Sequence, residues 1–420
     1  MNDTPRIRTV LSCTLLALTV TAAGSACSAS EDHPLSAKPY DAGQQISFNA
    51  PADGKKADPD KALEITVKDE EGRITDVTAT DETGHHLAGE LTADGQRWRS
   101  TGALTSGGRY TVKVSTEDDD GAPGSRTYTF ETAAAKRALT VAFGPEAGTY
   151  GVGQPITAEL SLPVKDKAAR AVVERALKVR STPAVEGAWY WVDDKKLHYR
   201  PKEYWPAGAA ISVSGNLAGV KVGDKLYGGA SKPLKLTIGD RIEAVADAGT
   251  YSMTVRRNGE VIKTMPVTTG KPGFSTRNGI KVVLGKEYYV RMRGTSVGIA
   301  EGSSESYDLP VYYATRVTWS GEYVHAAPWS VGSQGFANVS HGCVGMSTGN
   351  AAWFFETVRP GDIVQTVNSI GDTMDPFGNG FGDWNLAWDK WRQGSALTGV
   401  AAGGTATAVT TDTARLRPSV

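Results

Sequence analysis

From about Asp41 the chain is built of short runs in which apolar and polar residues alternate. Leu63-Glu64-Ile65-Thr66-Val67 and Tyr110-Thr111-Val112-Lys113-Val114 have a period of two, and Asp- and Gly-rich stretches separate such runs. That periodicity predicts half-buried strands, because successive side chains of a strand point to opposite faces. The pattern returns between about Arg137 and Gly239, in Ile156-Thr157-Ala158-Glu159-Leu160 and Ile211-Ser212-Val213. An offset of 101 residues aligns Trp98, Leu104, Gly107, Tyr110 and Val112 with Tyr199, Trp205, Gly208, Ile211 and Val213. A repeat of this kind predicts two tandem β-sandwiches.

Their size and turn spacing are those of immunoglobulin-like domains, one over 41–133 and one over 137–239. Beyond them the strands continue. Ser252–Val255 and Val261–Val267 flank Arg257-Asn258-Gly259-Glu260, whose Asn-Gly predicts a tight hairpin. Lys281–Leu284 and Tyr288–Met292 extend the sheet, and Ile363–Val367 is expected to close it. One helix is predicted over Ser347–Val358, where Ala351, Phe354, Phe355 and Val358 recur at helical spacing before Gly361. The fold class is therefore mainly β, with a mostly antiparallel third domain over 240–367. Trp384, Trp388 and Trp391 stand at i, i+4 and i+7 in a segment over 368–396 that is expected to dock on that domain through a short helix. A glycan platform is the other reading of these aromatics.

At 420 residues the chain exceeds a single core. A net charge of −1 excludes a strong electrostatic claim on nucleic acid or an anionic membrane. Arg6 and Arg8 precede an apolar run from Val10 to about Ala23 and then Gly24-Ser25-Ala26-Cys27, which reads as an export signal over 1–26. A cysteine at the cleavage point predicts lipid on Cys27, a tether over 27–40, and a place on the outer face of the membrane reaching into the wall. A tail over 397–420 completes the chain. Cys13 lies in the signal, so Cys343 is the one thiol left free in the mature protein, where a lone thiol is a liability unless it is used. The six histidines are scattered without metal-site spacing, and neither metal nor cofactor is expected. Glu117-Asp118-Asp119-Asp120 reads as a solvated turn, with calcium as the alternative.

The candidate chemistry lies at Ser340-His341-Gly342-Cys343, with His325 eighteen positions before the cysteine. The turn-rich residues between them allow the two to meet. A thiol becomes a useful nucleophile when imidazole takes its proton or holds the thiolate as an ion pair.

Tyr323-Val324-His325-Ala326-Ala327-Pro328-Trp329-Ser330-Val331-Gly332, the Ser-His-Gly-Cys tetrad and Gly382-Asp383-Trp384-Asn385 resemble the YkuD-type catalytic domain of L,D-transpeptidases, in their actinobacterial lipoprotein form with immunoglobulin-like domains. The family signature is a His, about sixteen residues, Ser/Thr-His-Gly-Cys, an apolar residue and Asn. This chain departs from it at Gly345, where the family has the Asn.

The resemblance implies a peptidoglycan transferase in which Cys343 is the nucleophile and His325 the proton acceptor and donor. The backbone carbonyl of Ala326 would orient His325, and the N–H groups of Gly342 and Cys343 would hold the oxyanion. His341 is expected to support the turn by hydrogen bonding. Tyr307, in a flap over Gly294–Pro310, is expected at the substrate with Ser320, Gly321, Trp329, Ser340 and Gly345. Donor and acceptor would be peptidoglycan stem peptides, joined 3→3 with release of D-Ala, and carbapenem-type β-lactams would acylate the thiol. An L,D-carboxypeptidase using water, or a non-catalytic wall-binding lipoprotein, are the alternatives.

Overall fold

The computed structural model describes residues 38–51, 54–68 and 72–398. The expected export signal, Cys27, most of the tether and nearly all of the tail lie outside the described residues.

Two β-sandwiches come first, and they share one design. In the first, strands Ile46–Phe48, Glu64–Val67, Arg97–Ser100 and Gly89–Leu91 form one sheet in the spatial order given. Tyr40–Asp41, Pro123–Glu131, Arg109–Glu117 and Arg73–Asp81 form the other. The second sandwich has the same arrangement, except that its first two strands exchange sheets, with Val141–Gly144, Ile156–Leu160, Lys196–Pro201 and Gly187–Trp191 facing Gly148–Tyr150, Leu234–Ile238, Ala210–Gly215 and Leu177–Thr182. The faint sequence repeat is thus a structural one. Leu104 and Trp205 are both buried, and Gly107 and Gly208 both take positive φ at equivalent turns. The first strand begins at Tyr40, so the linker ends one residue earlier than expected.

Three carboxylates of the acidic run have partners, one within the turn and two on the chain at Gly72 and Arg73. Asp118 accepts from the N–H groups of Asp120 and Ala122, Asp119 from that of Gly72, and Glu117 pairs with Arg73. A helix that strand periodicity concealed, Lys167–Ala176, follows an N-cap in which Asp166 accepts from Ala169 N–H.

The catalytic domain holds two sheets. The five-stranded one runs Glu260–Pro266, Ser252–Arg257, Ile242–Asp247, Ile363–Val367, Gly279–Val282. Asn258 and Gly259 both have positive φ in the hairpin turn, as an Asn-Gly turn requires. Ile363–Val367 does not close this sheet at an edge but enters between two earlier strands, parallel to Ile242–Asp247. Ala244, Val245 and Ala246 leave the centre too apolar to stand as an edge.

The four-stranded sheet runs Gly285–Arg293, Asp308–Arg316, Tyr323–Ala326, Val344–Met346, with the last pair parallel. The predicted helix spans Thr348–Thr357, capped by Ser347, and buries Ala351 and Phe354 between the sheets.

The C-terminal segment meets the catalytic domain through Asn385 and has a second partner besides. Trp384 lies in a 3₁₀ turn before the helix Trp388–Gln393; the helix packs on Gly187–Trp191 of the second sandwich, and the turn packs on Gly279–Val282 of the catalytic domain. Trp391 is fully buried and donates to Ala188 O, Trp384 donates to Gly153 O, and Ser395 and Ala396 bond the carboxylate of Glu174. Asn385 holds the other side, bonding both main-chain groups of Ile280. Val282 and Ile363 of the catalytic domain belong to the core of the second sandwich. The segment is a wedge between two domains, which makes the second sandwich part of the enzyme's frame.

Candidate active site

A cleft of about 950 Å³ opens between the end of the four-stranded sheet and the loop Thr268–Ser275. His325, Cys343, Gly342, His341, Ser340, Gly345, Tyr307, Ser320, Gly321 and Trp329 all line it. Ala326 does not, and acts from behind through its carbonyl.

Cys343 reaches the cleft because Ser340–Cys343 is a tight turn leading into the edge strand. Gly342 takes φ +117°, a region that L side chains rarely enter. The Ser340 hydroxyl donates to Cys343 O at 2.6 Å and accepts from Gly342 N–H at 3.2 Å, so its bonds are spent inside the turn. The loop before it braces the turn from below. Thr276 Oγ1 donates to Gly342 O at 2.7 Å, Lys271 N–H donates to Ser340 O, and Thr268 bonds both main-chain groups of Gly345.

The thiol packs beside Val311, Ala314 and Tyr323 and donates to Gly321 O at 3.5 Å. Burial pushes its pKa up to about 12, and the nearby Glu322 carboxylate adds to this, while the Tyr323 main chain and Lys281 pull it down. His325 is buried, which lowers its pKa below the ordinary histidine value. Burial thus favours the neutral thiol and the neutral imidazole over the charged pair. His325 Nδ1 lies 2.8 Å from Ala326 O, and since a carbonyl only accepts, Nδ1 carries the ring proton and Nε2 is bare. In the parallel ladder His325 stands opposite Gly345, two residues past the thiol.

Gly345 is tightly enclosed. A Cβ there would come within 3.0 Å of Ala327 Cβ and 3.1 Å of Thr268 Cγ2, so close approach of these neighbours accounts for the glycine. Trp329 is half exposed at the cleft mouth, its ring 6.1 Å from that of His325.

His341 does not bond the turn, as had been expected. Its Nε2 lies 2.7 Å from Glu305 of the flap, which also pairs with Lys271. Its ring sits between Phe274 and Tyr307, with centroids at 4.7 and 5.0 Å. Tyr307 is half buried over the cleft.

Neither Glu305 nor a second charged group at the site was legible in the sequence. Behind Gly321, the Lys281 ammonium, 1% exposed, pairs with Glu322 at 2.7 Å, and Glu322 pairs with Arg277 at 2.9 Å. In sequence Lys281 was marked only as part of a strand, and nothing marked Glu322 or Arg277.

A model of the L,D-transpeptidase catalytic domain matches residues 241–366, and one of the bacterial Ig domain matches residues 55–221, across both sandwiches. L,D-transpeptidase 2 of Mycobacterium tuberculosis (strain CDC 1551 / Oshkosh) is 38% identical over 338 residues, covering 80% of this chain and 81% of that protein. The chain belongs to the L,D-transpeptidase family. L,D-transpeptidase 5 of Mycobacterium tuberculosis (strain ATCC 25618 / H37Rv) is 32% identical over 353 residues, covering 82% of this chain and 76% of that protein. Among solved structures, an LD transpeptidase in complex with imipenem is 38% identical, covering 54% of this chain and 99% of that one, with a TM-score of 0.48. The activity of this L,D-transpeptidase is on peptidoglycan, and the cleft around Cys343 falls within the matched catalytic domain.

Proposed function

We propose that this L,D-transpeptidase forms 3→3 cross-links through a thioester on Cys343. His325 Nε2 takes the thiol proton as sulfur attacks the carbonyl of the donor stem's third residue, a diamino acid at its L-centre. The C–N bond to the terminal D-Ala then breaks, and the proton on His325 passes to the leaving amine. An amine of a second stem attacks the thioester, gives its proton to His325, and Cys343 leaves as a thiol once that proton returns.

The observation that carries this reading is the 2.8 Å bond from His325 Nδ1 to Ala326 O, which leaves Nε2 as the base in the cleft that holds the thiol. With burial pushing the thiol up to about 12, a free thiolate is disfavoured and His325 serves as general base during attack. Cys343 N–H is the first oxyanion donor. Gly342 N–H joins it by giving up its 3.2 Å bond to Ser340 Oγ. Tyr307 and the flap cover the acyl group, and Ser320, Gly321 and Trp329 form the walls. Carbapenem-type β-lactams acylate the same thiol as the ring C–N bond breaks, with the ring nitrogen, which stays attached to the acyl group, taking the proton.

Lipid on Cys27 and an address on the outer face of the membrane rest on the sequence alone. The two sandwiches would carry the cleft outward into the wall.

The test is product analysis with disaccharide-tetrapeptide monomers. Dimers linked between two third residues, with free D-Ala, are expected. Tripeptide monomers alone would show a carboxypeptidase.

A further inference from the structure

Lys281, Glu322 and Arg277 carry two positive charges and one negative beside the nucleophile. Lys281 Nζ also donates to Arg277 O at 2.6 Å and to Thr366 Oγ1 at 3.2 Å, so its ammonium is enclosed. Glu322 Oε1 accepts from both the main-chain N–H of Arg277 at 3.2 Å and its Nη1 at 2.9 Å. Burying such a pair costs about as much as it returns, so stability alone is a poor reason for it. What the arrangement does achieve is to fix one guanidinium at the cleft wall. The Arg277 side chain is 44% exposed and lines the cleft, and among the described residues lining it Arg277 is the one permanently cationic side chain. The other carboxylate of that wall, Asp372, makes no ion pair with it among the described residues. Glu305 is committed to Lys271 and His341.

We propose that Arg277, held by the buried Lys281–Glu322 pair, is a recognition point for a carboxylate of the donor stem. A guanidinium with one edge anchored presents its remaining N–H groups as a fork that matches a carboxylate in both charge and shape. Two carboxylates of the donor have that chemistry: the C-terminal one on the leaving residue and the one on the diamino acid side chain. The proposal rests on the stem-peptide reading given above. It adds a specificity that the catalytic pair cannot supply, since Cys343 and His325 meet only the reacting carbonyl.

The experiment measures the acylation rate of the full mature chain with three donor tetrapeptides: both carboxylates free, the C-terminal one amidated, or the side-chain one amidated. For the wild type, one of the two amides is expected to be acylated about tenfold less efficiently than the free acid, chiefly through KM, and which one identifies the group bound. Arg277→Gln abolishes that preference by weakening the free acid alone, and Arg277→Lys, which keeps the charge and loses the fork, lies between. Thermal melting of each variant checks that the fold persists. Equal loss on all three donors, or an unchanged preference in Arg277→Gln, overturns the proposal and leaves the stem-peptide reading intact. Failure of the wild type to acylate with any stem donor overturns both.

Discussion

Glu305, near the end of the flap, lies 2.7 Å from His341, two residues before the nucleophile. The flap is thereby tied to the catalytic turn itself, with Lys271 of the bracing loop as the second anchor. Lys271 and His341 hold the Glu305 carboxyl below its ordinary pKa, so the tie persists above pH 4.5 and is lost as pH falls through the lowered value. Glu305→Ala is expected to speed hydrogen exchange in residues 294–310 and to raise KM for donor several-fold, with kcat changed less. Unchanged exchange would show that the flap is held by Tyr307 alone.

Lys281 and Glu322 make a second prediction. Glu322→Leu strands the buried Lys281 ammonium and is expected to cost about 3–5 kcal/mol, Lys281→Met costs less because Glu322 keeps Arg277 as a partner, and the double variant recovers most of the Glu322→Leu loss. The two singles also move the thiol in opposite directions. Glu322 raises the Cys343 pKa and Lys281 lowers it. Alkylation by iodoacetamide should therefore begin at lower pH in Glu322→Leu and at higher pH in Lys281→Met.

Asp362 governs stability in base. It is fully buried, accepts from Arg359 N–H at 2.8 Å, and burial raises its pKa to about 7. Between the unfolded value of 3.8 and about 7 the folded state binds the extra proton, so its contribution is complete below that window and is lost as pH rises through it. Asp362→Asn is expected to gain roughly 2–4 kcal/mol relative to wild type at pH 8, and little at pH 4. Denaturant unfolding at the two pH values checks this.

The wedge between domains predicts how the protein can be cut. His198 and Asp383 meet at 2.7 Å in a buried pair, and Val282 and Ile363 fill the core of the second sandwich. A fragment of residues 137–398 is expected to unfold in one transition, whereas one of 240–398 exposes that apolar face and melts lower or aggregates. Calorimetry of the two decides.

Strand positions, the Asn258-Gly259 hairpin and the helix over Thr348–Thr357 were legible because each is dictated by neighbours in sequence. The reacting pair was legible for a different reason: thiol and imidazole are rare, and their order and spacing are specific. What stayed hidden depends on pairings across the fold. Glu305 meets His341 and Lys281 meets Glu322 only after the chain has closed, and in sequence each reads as an ordinary solvated residue; Trp391 was legible as a docking residue, but its partner Ala188 was not. The engagement of Gly342 N–H by Ser340 was invisible too, since turn geometry, not residue type, sets it.

The pH dependence of acylation follows from the neutral pair. Burial lowers the His325 pKa, so Nε2 stays free of protons through neutral pH and the acid limb of kcat/KM lies below the ordinary histidine value of 6.5. A thiolate–imidazolium pair would instead be abolished as the imidazolium lost its proton. A plateau between pH 7 and 9 is expected, and a fall above pH 7 would contradict the neutral pair.

Intact-protein mass spectrometry of the full mature chain, incubated with a stem tetrapeptide donor or a carbapenem, tests the thioester most directly. The account predicts a covalent adduct that maps to Cys343 and is absent from Cys343→Ala. An adduct that survives in Cys343→Ala, or none from either reagent in the wild type, would contradict it.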